Sequence, residues 1–217
     1  MRRKIAEAEF RPSGRNPLID ALAQQLDNSR ALTSAVVQGV TEHTINAVKQ
    51  AHEFRLDESG QQLAAFLVFI TDIHGIGLEA AQGLNVAAGI YWDQNEQTCK
   101  FAERMFAKHQ RMPTKEQAAV YLSVRHYLKA IAATGTDDAA IVNAQMRKMP
   151  ADYFGQTATI RPDGRVLYDL TLYKVKAPSA SKYPWDYYQP VRVISRDAAF
   201  GSGPDPACPP EKLGAKP

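Results

Sequence analysis

An eight-residue apolar run, Leu63 to Ile70, is the feature that most restricts what this chain can fold into. Both alternating faces of the run are apolar, which is typical of a strand in a parallel sheet covered by helices on both sides. A polar break, Thr71 to Gly75, follows, then a short helical stretch around Leu78 to Gln82 and a second strand from Asn85 to Tyr91. This order of strand, loop, helix and strand predicts an α/β domain with a parallel sheet flanked by helices.

Further helices are predicted wherever apolar residues recur at helical spacing between proline and glycine breaks. They cover residues 17–32, 44–55, 95–110, 114–133 and 137–149. After Pro150 the chain becomes rich in β-branched and aromatic residues, and the turn Arg161 to Gly164 predicts a hairpin between strands at 157–160 and 165–176. A short strand is expected at Val191 to Ile194. The segment 201–217 is rich in proline and glycine, and we expect a tail without regular structure.

Composition and charge exclude several classes of function. The 217 residues are 45% hydrophobic and 23% charged, which is ordinary for a globular protein. The net charge is only +3, and no basic run exceeds Arg2 to Lys4, so no nucleic-acid partner is predicted. The longest apolar run is far shorter than the roughly 20 residues that cross a bilayer. Glu7, Glu9 and Arg11 occupy the place of the apolar stretch of a signal peptide, so no export signal is visible.

No arrangement typical of catalysis, a metal or a cofactor stands out. Cys99 and Cys208 match no metal spacing, and pairing and two free thiols both remain open. Gly75-Ile76-Gly77 lacks the third glycine of a dinucleotide-binding loop. No serine has the Gly-x-Ser-x-Gly context of a hydrolase. We therefore expect a protein that is not an enzyme.

The strongest candidate site follows the first strand, because open α/β sheets hold ligands at the carboxyl ends of their strands. Asp72 and His74 lie there and could orient a general base or supply two metal ligands. Thr71 and Asp72 could instead bind a small polar ligand, with the carboxylate meeting an ammonium group. They could also simply cap the next helix.

Two aromatic groups have a ligand-binding and a structural interpretation. Tyr91 and Trp92 end the second strand, where they could wall a ligand pocket or pack in the core. The aromatic residues of the segment Tyr183 to Tyr188 could stack on sugars or bases. Since no basic groove accompanies them, we favour packing that fixes the C-terminal strand.

Five stretches, in this order, resemble one family. They are Asn46 to Ala51, Leu67 to His74, Gly89 to Asp93, Arg111 to Thr114 and Lys182 to Tyr188. They resemble the C-terminal part of type I periplasmic solute-binding proteins of ABC transporters, and most closely the branched-chain amino-acid type.

The resemblance implies a partial type I periplasmic-binding-protein fold with C-terminal β-strands. It also implies a protein that holds an amino acid or a related small carboxylate between two lobes and delivers it to a membrane permease. The ligand-binding residues that it implies are Thr71, Asp72, His74, Tyr91 and Trp92, with Asp72 nearest to the position that meets the ligand's ammonium group. It places the protein in the periplasm, whereas the N-terminus as written implies the cytoplasm.

The resemblance also divides the chain. Residues 1–43 do not resemble the family, residues 44–200 form the C-terminal part of the two-lobe fold, and residues 201–217 form the tail. Full members of the family are about twice as long, so a truncated product is expected, with self-association through the surface where the rest of the fold would pack. Two alternative functions remain: a cytosolic ligand-sensing regulator of the same fold, and a fragment without function.

Overall fold

The computed structural model describes residues 34–38, 41–55, 62–201 and 203. The helix predicted at 17–32, Cys208 and most of the predicted tail lie outside these residues. The described residues divide into two compact units. Unit 1 holds those of Met1–Ala88 and Thr171–Ile194, and unit 2 holds those of Gly89–Leu170 and Ser195–Pro217.

Unit 1 is built on one mixed sheet with helices packed together beside its first strands. Its elements are β1 (Ser34–Gln38), α1 (Thr41–Glu53), β2 (Gln62–Phe66), α2 (Ile70–Ile76), α3 (Leu78–Ala81), β3 (Asn85–Ala88), β7 (Leu170–Val175), a 3-10 turn (Pro178–Ala180) and β8 (Tyr188–Ile194). The strand order is β1-β2-β3-β7-β8, with β1, β2 and β3 parallel and β7 antiparallel to β3. The predicted α/β class, with parallel strands flanked by helices and further β-strands after them, is confirmed.

The apolar run does not form one strand, and this corrects the prediction. Strand β2 ends at Phe66, Leu67 takes a left-handed φ of 56°, and α2 already begins at Ile70. The prediction of a loop over 71–74 is wrong for the same reason, since these residues lie in α2. A short apolar run has no periodicity that separates a strand from a buried helix, and here it contains the end of one and the start of the other.

The described part of unit 2 combines four helices with a small antiparallel sheet. Its elements are α4 (Glu96–His109), α5 (Lys115–Thr134), α6 (Ala139–Lys148), β4 (Ala151–Tyr153), β5 (Gln156–Ile160), β6 (Val166–Leu167) and α7 (Arg196–Phe200). The three predicted helices from 95 to 149 are confirmed to within two residues at each end. The sequence also encodes their starts, because Asn95, Thr114 and Asp138 each accept hydrogen bonds from the first turn of the helix that follows.

The C-terminal strands differ in one respect from the prediction. The hairpin is confirmed, since β5 pairs antiparallel with β6 across the turn at Arg161 to Gly164. The strand predicted over 165–176, however, is two strands: β6 belongs to the small sheet of unit 2, and β7 pairs with β3 in unit 1. A sequence pattern with period two does not show at which residue a chain leaves one sheet for another.

Candidate functional site

Asp72 is the structural cap of α2. Its Oδ2 accepts a hydrogen bond of 2.9 Å from the backbone N–H of Phe69, the residue before the helix. The side chain is buried, and its negative charge lies in the first turn, where the helix dipole favours it. The interpretation of Asp72 as a cap of the next helix, around Leu78 to Gln82, is wrong, because that helix begins after Gly77. Asp72 instead lies inside α2 and caps the first turn of its own helix.

The two other predicted residues of this segment differ in exposure. Thr71 is half-buried, whereas His74 is exposed to solvent. The His74 ring stacks face to face on the indole of Trp185, with ring centroids 4.1 Å apart and planes 8° from parallel. The Tyr187 hydroxyl oxygen lies 2.6 Å from His74 Nδ1 and donates to this nitrogen whenever Nδ1 carries no proton. We call His74, Trp185 and Tyr187 the aromatic triad.

The segment before β8 holds Trp185 in an unfavourable backbone conformation. Its φ is 70°, in the left-handed region, which costs a non-glycine residue on the order of 1–3 kcal/mol. Backbone hydrogen bonds on both sides fix the conformation: the N–H of Asp186 donates to Tyr183 O, and the N–H of Tyr187 donates to Trp185 O. Strain of this kind persists only where the surroundings determine it, and it is often found at ligand sites.

A buried ion pair strengthens this segment. Lys176, next to β7, donates from Nζ to Asp186 Oδ1, and the backbone N–H of Lys182 donates to Asp186 Oδ2 at 3.0 Å. Burial alone would raise the pKa of the Asp186 carboxyl, but the hydrogen bonds and charge of Lys176 and the Lys182 N–H outweigh it and hold that pKa below its usual range. Asp186 is therefore ionised at neutral pH and ties the segment that carries Trp185 and Tyr187 to β7.

The remaining two predicted residues belong to unit 2. Tyr91 is buried and Trp92 is half-buried, with ring centroids 5.8 Å apart and planes at 60°. Gln94 closes the turn that they form: its N–H donates to Tyr91 O at 3.1 Å, and its Oε1 accepts from the Tyr91 N–H at 3.3 Å. The turn leads directly into Asn95, the cap of α4, whose Oδ1 accepts from the N–H groups of Gln97 and Thr98.

Gly89 begins this turn region, and two tyrosine rings occupy the space beside it. Tyr153 and Tyr168 stack with centroids 4.0 Å apart. A Cβ on Gly89 would lie 2.4 Å from Tyr168 Cε2 and 2.9 Å from the Tyr153 hydroxyl oxygen. Only glycine fits here without displacing the rings.

The candidate site thus consists of ring surfaces and hydrogen-bonding groups. Within the described ranges, no three His, Cys, Asp or Glu side chains are grouped as a metal ion would require. Over the same ranges no helix has the length and apolarity of a membrane span. Trp185 and Tyr187 are the site residues that the sequence did not connect to His74, although their segment was noted for its aromatic content. Nothing in the single sequence links His74 to Trp185 and Tyr187, because the positions are more than a hundred residues apart.

Comparison with known proteins identifies the family of this chain. A family model described as "Periplasmic binding protein" matches residues 5–182. The match begins before residue 44, so it also includes most of the N-terminal segment. No protein of curated function matches the chain.

Solved structures are similar over most of this chain. A periplasmic binding protein from Burkholderia mallei is 37% identical, with a TM-score of 0.70, over 92% of this chain and 50% of its own. A branched-chain amino-acid ABC transporter periplasmic ligand-binding protein from Burkholderia xenovorans is 34% identical, with a TM-score of 0.71, over 85% and 49%.

A third structure shares the fold at lower identity. It is an ABC transporter solute-binding protein from Rhodopseudomonas palustris, in complex with 3,4-dihydroxybenzoic acid, 18% identical with a TM-score of 0.64 over 82% and 48%. This chain therefore spans about half the length of the structures it matches. All three are named as binding proteins and none as an enzyme. The family match over most of the chain and the two relatives above 30% identity lead to one conclusion: the chain belongs to the periplasmic binding protein family.

Proposed function

We propose that this chain acts in an ABC transporter as part of a solute-binding protein whose ligand is an amino acid or a related small carboxylate. The observation that carries the proposal is family membership together with 34% identity to a structure named as a branched-chain amino-acid ligand-binding protein. A structure with the same fold holds an aromatic acid, so both ligand classes belong in the test. The proposal includes a periplasmic location and a membrane permease as partner.

The proposed ligand-binding residues are Thr71, Asp72 and His74 in unit 1, and Tyr91 and Trp92 in unit 2. His74 supports the proposal best, because its ring stacks on Trp185 and the residue is nevertheless exposed to solvent. A ring held in this way contacts a ligand without losing conformational entropy on binding. Asp72 is buried as a helix cap, so the proposed contribution of its carboxylate is electrostatic attraction for an ammonium group.

Binding is tested by thermal unfolding and isothermal titration with leucine, glutamate and 3,4-dihydroxybenzoate. A ligand that binds only the folded state raises its stability by RT ln(1 + [L]/Kd). We expect His74→Ala and Trp92→Ala each to weaken binding of the ligand that is found by about tenfold or more, as the loss of about 1.4 kcal/mol implies.

Phe54→Ala is the matched control, because it removes another aromatic ring that is 75% exposed and lies outside the proposed site. Its affinity should equal that of the unchanged chain. Circular dichroism of all three variants verifies that the fold is retained. If no ligand of either class binds, the proposed function is wrong; if binding is found but neither site variant weakens it, only the proposed residues are wrong.

A further inference from the structure

The two nitrogens of the His74 ring have different surroundings. Nδ1 lies 2.6 Å from the hydroxyl oxygen of Tyr187, a residue that is only 9% exposed. His74 itself is exposed, and among the described residues its hydrogen-bond partner is Tyr187. Nε2, on the other side of the ring, is therefore the nitrogen that is left for a further partner.

The length of the contact to Tyr187 identifies the donor. N–H groups make hydrogen bonds of about 2.7–3.2 Å to oxygen, whereas hydroxyl donors approach to about 2.5 Å. A distance of 2.6 Å therefore fits a bond that the Tyr187 O–H donates to Nδ1. If the ring were turned over, Cδ2 would take this place, and carbon stays about 3.3 Å or more from oxygen even in weak C–H hydrogen bonds. Nδ1 is thus the acceptor, and in the neutral ring Nε2 carries the proton.

The backbone around Tyr187 holds its hydroxyl in position. The N–H of Tyr187 donates to Trp185 O at 2.9 Å, and its carbonyl accepts from the N–H of Lys176 at 2.8 Å. The indole of Trp185 in turn stacks on the His74 ring. All of these residues belong to unit 1, so the contact between the hydroxyl and Nδ1 is formed within that unit.

We propose that Tyr187 is a positioning residue that fixes neutral His74 as the tautomer with its proton on Nε2, and that this N–H donates to the carboxylate of the ligand. The second step rests on the proposed function. The Nε2–H group is a donor in the neutral and in the protonated ring, so it does not receive an ammonium group, which is also a donor only. A carboxylate accepts, and its charge makes the bond about twice as strong as one to a neutral oxygen.

Asp72 does not compete for this N–H. Positions two apart on a helix do not face each other, and Asp72 is buried with Oδ2 on the N–H of Phe69, whereas His74 is exposed. The proposed attraction of Asp72 for an ammonium group and the donor of His74 therefore address opposite ends of an amino acid. An aromatic acid needs only the second of them.

Nitrogen NMR of the isotope-labelled whole chain tests the first step without a ligand, at about pH 8.5, where an ordinary imidazole is neutral. Among the five histidines, the signals of His74 are those that disappear in His74→Phe. We expect the Nε2–H form in the unchanged chain. Tyr187→Phe should lower the ratio of the Nε2–H to the Nδ1–H form by about fivefold, because one hydrogen bond is lost. Tyr183→Phe is the matched control, since it removes a hydroxyl from the same segment at a residue that is 46% exposed; its His74 signals should not change.

Isothermal titration with two acids and their amides tests the second step. The pairs are leucine with leucinamide and 3,4-dihydroxybenzoate with 3,4-dihydroxybenzamide. His74→Phe keeps a ring that can stack on Trp185 but removes the N–H. It should weaken binding of the acid by about tenfold and of the amide by about twofold, so that the preference for the acid falls by about fivefold.

The outcomes separate the two steps from the proposed function. The Nδ1–H form in the unchanged chain, or a ratio that Tyr187→Phe leaves unchanged, overturns the proposal. If an acid binds and His74→Phe weakens acid and amide equally or not at all, the carboxylate step is wrong and the proposed function stands. If neither acid binds, the proposed function is wrong and the carboxylate step with it, while the NMR result still decides the tautomer.

Circular dichroism checks that the variants fold. Should Tyr187→Phe not fold, the tautomer of the unchanged chain alone decides the first step. Should His74→Phe not fold, His74→Ala replaces it, and an unchanged preference for the acid in that variant equally overturns the carboxylate step.

Discussion

Gly89→Ala should destabilise unit 2, because the space for a methyl group is already filled by tyrosine rings. The new Cβ would lie 2.4 Å from Tyr168 Cε2, whereas carbon atoms prefer a separation of about 3.5–4.0 Å. The Tyr168 ring would have to move by about 1 Å. It cannot move alone, since it stacks on the buried ring of Tyr153 on one side and meets Phe200 edge-on, with centroids 5.4 Å apart, on the other.

The magnitude follows from two opposing contributions. Overpacking of this kind costs about 1–3 kcal/mol, and disturbing the tyrosine stack costs up to about 1 kcal/mol more. Replacing glycine by alanine restricts the unfolded chain, which returns about 0.4–1 kcal/mol. We therefore expect the free energy of unfolding of unit 2 to fall by about 1–3 kcal/mol.

Urea unfolding followed by circular dichroism and tyrosine fluorescence measures this change. Gly75→Ala is the control, since Gly75 lies in α2 of unit 1 with no atom within 4 Å of the added Cβ. Alanine is the better helix former, and this variant should be more stable by about 0.5–1 kcal/mol. The reasoning is refuted if Gly89→Ala is as stable as the unchanged chain, or if both substitutions change stability with the same sign.

Three further predictions concern single side chains. Because the pKa of Asp186 is lowered in the folded state, its ion pair stabilises the chain above about pH 4, and this stabilisation is lost as the pH falls through the folded pKa. Asp186→Asn should lower the free energy of unfolding at pH 7 by about 1–3 kcal/mol and weaken the loss of stability toward acid pH that urea unfolding measures. An unchanged dependence on acid pH would contradict the assignment. Asp72→Ala should lower the free energy of unfolding by about 1 kcal/mol, because it removes the cap. Asp72→Asn keeps an acceptor oxygen and should lower it less. Equal melting temperatures of the two variants would count against a capping role. Burial and, after it, the charges of Asp93 and Glu103 raise the pKa of the Cys99 thiol. In a Cys208→Ser background, iodoacetamide should therefore modify Cys99 more slowly at pH 7.5 in the folded chain than in the urea-unfolded chain. Asp93→Asn should speed this reaction, and mass spectrometry measures both rates.

The sequence predicts the helices of unit 2 well because their signals are local. Asn95, Thr114 and Asp138 are each placed to cap a helix, and Gly135 ends α5 in a left-handed conformation that glycine adopts without strain. The hairpin turn at Arg161 to Gly164 is equally local, since Arg161 and Asp163 bond to each other within it. Signals of this range need no knowledge of the rest of the fold.

The start of α2 was missed for a local reason: its N-cap residue, Phe69, lies in an apolar run and has no side-chain oxygen to accept from the helix. Asp72 was recognised as a possible cap, but the apolar run before it concealed that Phe69 is the capped residue. The aromatic triad was missed for the opposite reason. His74 and Trp185 meet only because β7 returns to pair with β3, and the segment that follows β7 carries Trp185 back to α2.

These two errors concern segments that meet at the candidate site. The cap of Asp72 sets where α2 begins, and the first turns of that helix set the position of His74. The ion pair of Asp186 holds the segment that positions Trp185 and Tyr187 against the same imidazole. Two carboxylates, Asp72 and Asp186, thus stabilise the two segments that meet at the His74 ring. If His74 binds the ligand as proposed, substituting either carboxylate should change ligand affinity through the position of the His74 ring, and such a change would not by itself identify a residue that touches the ligand.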